Sequence, residues 1–243
     1  MSGKINRDRA KAKRVVQEQL AKERRRRVTL WTSLGVVALL VIVGLIGWGL
    51  AAGQESDKTA NLTTPSVAVD EGTAFAVGSG PVLIDIYEDF MCPACGQFEA
   101  DAQTTIDQLV AANKVTVRYH PIAILDDAST TEYSTRSAAA SAAAAQGGKF
   151  AEYHKALFAN QPEEGSAGLD DATLIELGKS VGLTDAAFAD AVNDGTYRAW
   201  ATKVTDTASA RGVSSTPTVQ VGGKALEDRT AAGLTAAVEA AGA

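Results

Sequence analysis

The chain's only two cysteines, Cys92 and Cys95, are separated by two residues in Glu88-Asp89-Phe90-Met91-Cys92-Pro93-Ala94-Cys95, at the seam between two segments of opposite character. Upstream, Pro81-Val82-Leu83-Ile84-Asp85-Ile86-Tyr87 is apolar and β-branched, as a central strand requires, and from Gly96 onward the composition is helical. A bridge across so short a loop restricts little of the unfolded chain, so its use is chemical rather than architectural. The spacing reads as a redox dithiol.

The first cysteine is expected at the helix N-terminus, where unpaired backbone N–H groups and the helix dipole favour a thiolate. Pro93 suits the first turn because its missing N–H leaves no hydrogen bond unmade. Cys92 is therefore the expected nucleophile and Cys95 the residue that resolves a mixed disulfide. A lowered pKa also makes Cys92 a good leaving group, which favours donation of the disulfide. Phe90, Pro93 and Ala94 belong to the motif around the thiolate, and Glu88 and Asp89 adjoin it, where they modulate its field or simply end the strand. No metal is expected: zinc needs two further ligands, and His120 and His154 have no ligand-like spacing. No Gly-rich loop follows a strand in the form a nucleotide needs, so no cofactor is expected.

Residues 28–50 form an uncharged, mostly apolar run of 23 residues, long enough at about 1.5 Å per residue to cross a hydrocarbon core of about 30 Å. The first 27 residues carry 11 Lys and Arg against 3 Asp and Glu, and the remainder 12 against 26. That asymmetry predicts a single-pass transmembrane anchor with its basic tail, 1–27, in the cytoplasm and the cysteines outside. A cleaved signal peptide is the rival, given Leu50-Ala51-Ala52-Gly53, but the run is longer than a signal-peptide core. Either way the dithiol reaches an oxidising compartment. The Arg run beside an apolar span reads as an orientation signal, and the acidic remainder does not suit nucleic acid.

Residues 51–72, rich in Ser, Thr, Asp and Ala, read as a flexible tether, and 73–243 as one domain. The strand at 82–87 leads through the cysteines into a helix ending near Ala112. Val115 to Tyr119 alternates as a second strand, giving a β-helix-β crossover with parallel strands. Residues 129–211 turn Ala-rich and helical, and breaks at Gly147-Gly148, 161–165, Gly182 and Gly195 divide them into about five helices. A strand over 217–221, a turn at Gly222-Gly223 and a helix over 230–240 close the chain. Asp70, Asp126, Asp127, Asp170 and Asp171 read as solvated or capping groups, and His120 and His154 as packing or loop residues.

In this order the chain resembles the DsbA family of extracytoplasmic thiol-disulfide oxidoreductases over about residues 75–242. The resemblance rests on Asp89 to Cys95, on the helical insertion, and on Val213-Ser214-Ser215-Thr216-Pro217-Thr218. It implies an α/β thioredoxin-like fold with an inserted helical subdomain at about 129–211. It also implies that Thr216-Pro217 is a cis-proline element facing the sulfurs, with Thr216 contacting them or the substrate backbone. Members of the enterobacterial type carry histidine between the cysteines where this chain has Pro93-Ala94, so one means of stabilising the thiolate is absent. Relatives often bury an acid beneath the resolving cysteine as its proton acceptor, and Asp85 is the only acid inside the preceding strand. Its offset differs by one residue from the usual spacing, enough to turn a strand side chain to the other face.

The resemblance implies as partners exported proteins with free thiols and a membrane quinone-linked thiol oxidase that restores the disulfide, with a monomeric catalytic domain. Two alternatives stay open on the sequence. One is a reductase or isomerase kept reduced by a membrane electron donor, and the other a membrane-tethered peptide-binding or scaffold protein.

Overall fold

β2 (Val82–Glu88) is the element around which the described chain is arranged. The computed structural model describes residues 62–242. The basic tail expected over 1–27, the apolar span over 28–50 and the start of the tether lie outside them. Among the described residues no helix is long and apolar enough to cross a membrane.

β2 runs parallel to β3 (Val115–Pro121), and β4 (Thr218–Val221) lies antiparallel on its other side. β1 (Phe75–Gly78) pairs antiparallel with β3, and β5 (Lys224–Ala225) with β4, completing the order β1-β3-β2-β4-β5. Every β2 residue except Leu83 is buried, as expected of a strand with neighbours on both edges and layers on both faces.

The parallel pairing of β2 and β3 requires a crossover, which α1 (Pro93–Ala111) supplies. Its buried residues Cys95, Phe98, Glu99, Ala102, Ile106 and Leu109 recur at helical spacing and form one inward face. Asn113 takes a left-handed φ of 53° in the turn into β3, a conformation its short polar side chain tolerates.

The insertion consists of five helices: α2 (Tyr133–Gln146), α3 (Phe150–Ala159), α4 (Asp171–Ser180), α5 (Ala186–Asn193) and α6 (Arg198–Ala210). α2 is buried on nearly every side, and α3, α4, α5 and α6 all pack against it. Its alanines let neighbours approach closely all round, and its buried Ser137 and Ser141 satisfy their hydroxyls on Tyr133 and Ala138 carbonyls. Asp170 caps α4 by accepting from the Thr173 N–H at 2.8 Å. α7 (Ala231–Gly242) covers β4 and packs beside α1.

The second half of the expected tether is not free. Leu62 packs on the core, Ser66 N–H donates to Gln146 Oε1 at 2.9 Å, and the Gly72 carbonyl accepts from Trp200 Nε1 at 2.7 Å. Polar composition suggested mobility, but these polar groups have partners far away in sequence. β1 and β5, four and two residues long, carry too little pattern to be read alone. They form because β3 and β4 offer edges to pair with.

Candidate active site

Cys92 is the N-cap of α1 and Pro93 its first residue, as the sequence predicts. The Cys92 carbonyl accepts from the Cys95 N–H at 3.0 Å and the Gly96 N–H at 3.2 Å. Both cysteines are free thiols, and Cys95 is the more deeply buried. The Cys95 thiol hydrogen-bonds the Cys92 sulfur and, with the N–H groups of Ala94 and Cys95, brings Cys92 down to about 5. Burial, together with that same hydrogen bond, holds Cys95 far above its ordinary range. At neutral pH one sulfur is therefore an anion and the other keeps its proton.

Opposite the sulfurs, the Thr216–Pro217 peptide is cis, and the Thr216 carbonyl oxygen lies 3.5 Å from Cys92 Sγ. The loop before β4 thus brings backbone polar groups to the nucleophile.

Asp89 is fully buried and ties the motif to the insertion. Its Oδ1 accepts from the Met91 N–H at 2.9 Å and Ser134 Oγ at 2.7 Å, and its Oδ2 from the Leu125 N–H at 3.0 Å. Burial raises it to about 6 despite these bonds. Phe90 packs against Phe158 with ring centroids 5.0 Å apart. Gln161, in the break between α3 and α4, donates Nε2 to the carbonyls of Phe90 at 3.1 Å and Cys92 at 2.9 Å. The sequence placed Gln161 in a loop and gave no sign of this role, nor of Ser134, because both act from the insertion across long sequence separations.

Asp85 is not the acid beneath the resolving cysteine. It accepts from Arg118 Nε at 2.6 Å and Nη2 at 2.7 Å and pairs with His120 Nε2 at 3.1 Å. Burial works against its charge, but these partners outweigh it and hold the carboxyl below its usual range. Asp85 and Glu88 have opposite parity in β2, so they leave the strand on opposite faces. Glu88 shares the face covered by α1 and α3. There its Oε1 lies 2.5 Å from His154 Nε2, while Oε2 is buried with no partner. Burial and the neighbouring Asp89 charge raise Glu88 well above the usual carboxyl range. His154 Nδ1 faces Glu99 Oε2 of α1 at 3.9 Å, and burial raises Glu99 to about 7.

Glu88, Glu99 and His154 are the metal-ligating residue types that converge among the described residues. The 2.5 Å contact is a hydrogen-bond distance, shorter than the roughly 3.3 Å between two ligands of a tetrahedral zinc. In this arrangement Glu88 and His154 share one hydrogen bond, and Glu99 stands 3.9 Å beyond it.

Thiol–disulfide exchange needs one sulfur ready to attack or leave and a second that can wait protonated, and this dithiol supplies both. Fold and site together define a thioredoxin-fold thiol-disulfide oxidoreductase. The sequence profile of the family described as Thioredoxin matches residues 58–240. The reduced disulfide bond oxidoreductase DsbG of Mycobacterium tuberculosis is 36% identical, with 70% of this chain and 88% of that one covered and a TM-score of 0.64. Reduced DsbA of the same organism is 35% identical, with 69% and 91% covered and a TM-score of 0.62. The serine/threonine-protein kinase PknE of M. tuberculosis is 34% identical over 161 residues, 62% of this chain. The chain spans only 28% of the length of that curated relative. The chain belongs to the thioredoxin family, among its DsbA/DsbG-like thiol-disulfide oxidoreductases.

Proposed function

We propose that the protein donates the Cys92–Cys95 disulfide to exported proteins outside the cytoplasm. The observation that carries this reading is the unequal pair of sulfurs, with Cys92 near 5 and Cys95 held protonated. A thiolate on an incompletely folded substrate attacks Cys92 Sγ. The Cys92–Cys95 bond breaks, its electron pair stays on Cys95, and Cys95 takes one proton. A second substrate thiolate then attacks the substrate sulfur of the mixed disulfide, and Cys92 leaves as a stable thiolate. The products are an oxidised substrate and an enzyme holding one thiolate and one thiol.

Glu88, raised well above its usual range on the side of β2 that α1 covers, gives Cys95 that proton. The Thr216-Pro217 loop holds the substrate backbone against the sulfurs, since a strand-start proline leaves neighbouring polar groups available. Residues 28–50 anchor the chain with 1–27 in the cytoplasm, and a membrane quinone-linked thiol oxidase restores the disulfide. The domain needs no cofactor and acts as a monomer.

The test is the reduction potential of the pair against glutathione buffers. A value near about −120 mV supports donation, and one near about −270 mV makes a reductively maintained reductase or isomerase the better reading. A scaffold with an incidental dithiol is separated by substrate trapping: Cys95→Ser accumulates mixed disulfides with thiol proteins, and Cys92→Ser does not.

A further inference from the structure

On β2's α1-facing side, a carboxyl, an imidazole and a second carboxyl converge, all three buried. Glu88 Oε1 meets His154 Nε2 at 2.5 Å, His154 Nδ1 faces Glu99 Oε2 at 3.9 Å, and one turn pair further along, Lys155 of α3 bonds Asp107 of α1 at 2.7 Å in solvent. The imidazole is sealed by the rings of Phe90, Tyr119, Phe150 and Phe158, whose centroids lie 4.6–5.7 Å away. Glu88 Oε2 and Glu99 Oε1 are buried without partners. Each such oxygen costs about 1–3 kcal/mol, so an arrangement with no task beyond packing is better served by apolar side chains.

We propose that His154 and Glu99 are positioning residues that relay the proton Glu88 gives to Cys95, so that the charge left behind ends on Glu99, near the Lys155 ammonium. This rests on the proposed donor function. As Cys95 departs from Cys92, Glu88 closes on Cys95 Sγ and gives it its proton. His154 passes its Nε2 proton to Glu88 Oε1, and Glu99 passes its Oε2 proton to His154 Nδ1 as the 3.9 Å gap closes. One proton enters at Glu99 from solvent, and one thiol is made. No electrons move beyond those of the broken disulfide.

Without the relay the step merely exchanges one buried anion, the Cys95 sulfur, for another, the Glu88 carboxylate. With it the negative charge moves to Glu99, beside the Lys155 ammonium. The groups facing the cluster are Asp89 from the end of β2, Cys95 and Asp107 from α1, Tyr119 from β3 and Lys155 from α3. Of these Lys155 alone is a cation, and it stands at the Glu99 end. Glu88 can give a proton only while it carries one, so the step depends on Glu88 being refilled. Glu99, near 7, supplies that refill around neutral pH.

The experiment is single-turnover reduction of the oxidised full-length protein by dithiothreitol between pH 6 and 8, quenched by alkylation, for the wild type, His154→Gln and Glu99→Gln. Glutamine at 154 can hydrogen-bond Glu88 but cannot pass a proton. Both variants are expected to react about tenfold more slowly at pH 7. Per unit of dithiothreitol thiolate, the wild-type rate falls as pH rises through about 7, and Glu99→Gln removes that decline. Iodoacetamide alkylation of Cys92 in the reduced proteins stays at the wild-type rate, which a merely structural defect at the motif would not allow. Wild-type rates and an unchanged pH profile in both variants would overturn the relay. If His154→Gln does not fold, Glu99→Gln decides alone. Failure of the donor reading shows separately, as a low potential of the wild-type pair.

Discussion

The two faces of β2 each bury a carboxylic acid three residues apart, and they treat it in opposite ways. On one face Asp85 meets a guanidinium and an imidazole, and the network extends through Arg118 to Asp70 and from Asp70 to Arg211. On the other Glu88 meets an imidazole that is itself hemmed by a second acid. Both acids are buried. What separates them is the partners: the Arg118 guanidinium and the His120 hydrogen bond draw Asp85 below its usual range against its burial, and Glu88, with no guanidinium or ammonium beside it, is pushed well above its own. One face is built to hold the sheet to its N-terminal segment, the other to trade a proton with a thiol.

Substituting each acid by its amide breaks the comparison most sharply. Glu88→Gln is expected to slow disulfide reduction at pH 7 by about a hundredfold, with stability unchanged or slightly raised, since the residue it replaces is already uncharged. Stopped exchange assays and thermal melts on one preparation read both quantities. Asp85→Asn should do the reverse. It leaves Arg118 and His120 without their anion and costs about 2–3 kcal/mol, measurable as a lower denaturation midpoint, while the exchange rate stays near wild type. If Asp85→Asn slowed exchange as strongly as Glu88→Gln, the division of labour between the faces would be wrong.

The faces also separate with pH in the oxidised protein, where no thiol titrates. Glu99 is raised from 4.5 to about 7, so its contribution to stability is full below 4.5 and is lost as pH rises through about 7. Glu88, raised well above its usual range, acts in the same direction. His154 is lowered from 6.5 and opposes them below that value. Asp70 and Asp85 are lowered from 3.8, so their contribution is present above 3.8 and is lost as pH falls further. The melting temperature should therefore rise as pH falls from about 7 to 4.5, less steeply where His154 opposes it below 6.5, and fall below 3.8. In Glu99→Gln the rise should shrink while the acid fall remains, and a profile that kept both would disconnect Glu99 from the neutral limb.

Why the sequence named the wrong acid follows from the same two faces. Asp85 sits inside an apolar strand and Glu88 at its polar end, so composition favours Asp85 as the buried one. Only the pairing of Asp85 with Arg118 and of Tyr87 with His120 across β2 and β3 reveals which face receives Arg118 and His120. The dithiol, its helix, the parallel crossover, the five inserted helices and the strand at Thr218 were legible because each has local chemistry: thiols, proline, helical spacing, glycine breaks. Gln161, Ser134, His154 and Glu99 were not. Each acts on a group far from it in the chain or in another element, and a lone polar residue on an Ala-rich helix or in a loop carries no mark of what it will meet.

The smallest predicted effect concerns how the insertion grips the motif. A Cβ at Gly96 would stand 2.2 Å from Gln161 Oε1, so Gly96→Ala forces the Gln161 side chain to swing and give up its bonds to the Phe90 and Cys92 carbonyls. Losing them costs about 1 kcal/mol. Alanine is otherwise the better helix residue, by about 0.5–1 kcal/mol over glycine. The two terms nearly cancel in the wild-type background. In Gln161→Ala the bonds are already gone and the clash with them, so the same Gly96→Ala substitution should be plainly stabilising. A double-mutant cycle by chemical denaturation reads the difference as a coupling of about 1 kcal/mol. Additive effects would mean that Gly96 is small for some reason other than Gln161, and that the inserted helices hold the dithiol through their other contacts, Ser134 with Asp89 and Phe158 with Phe90.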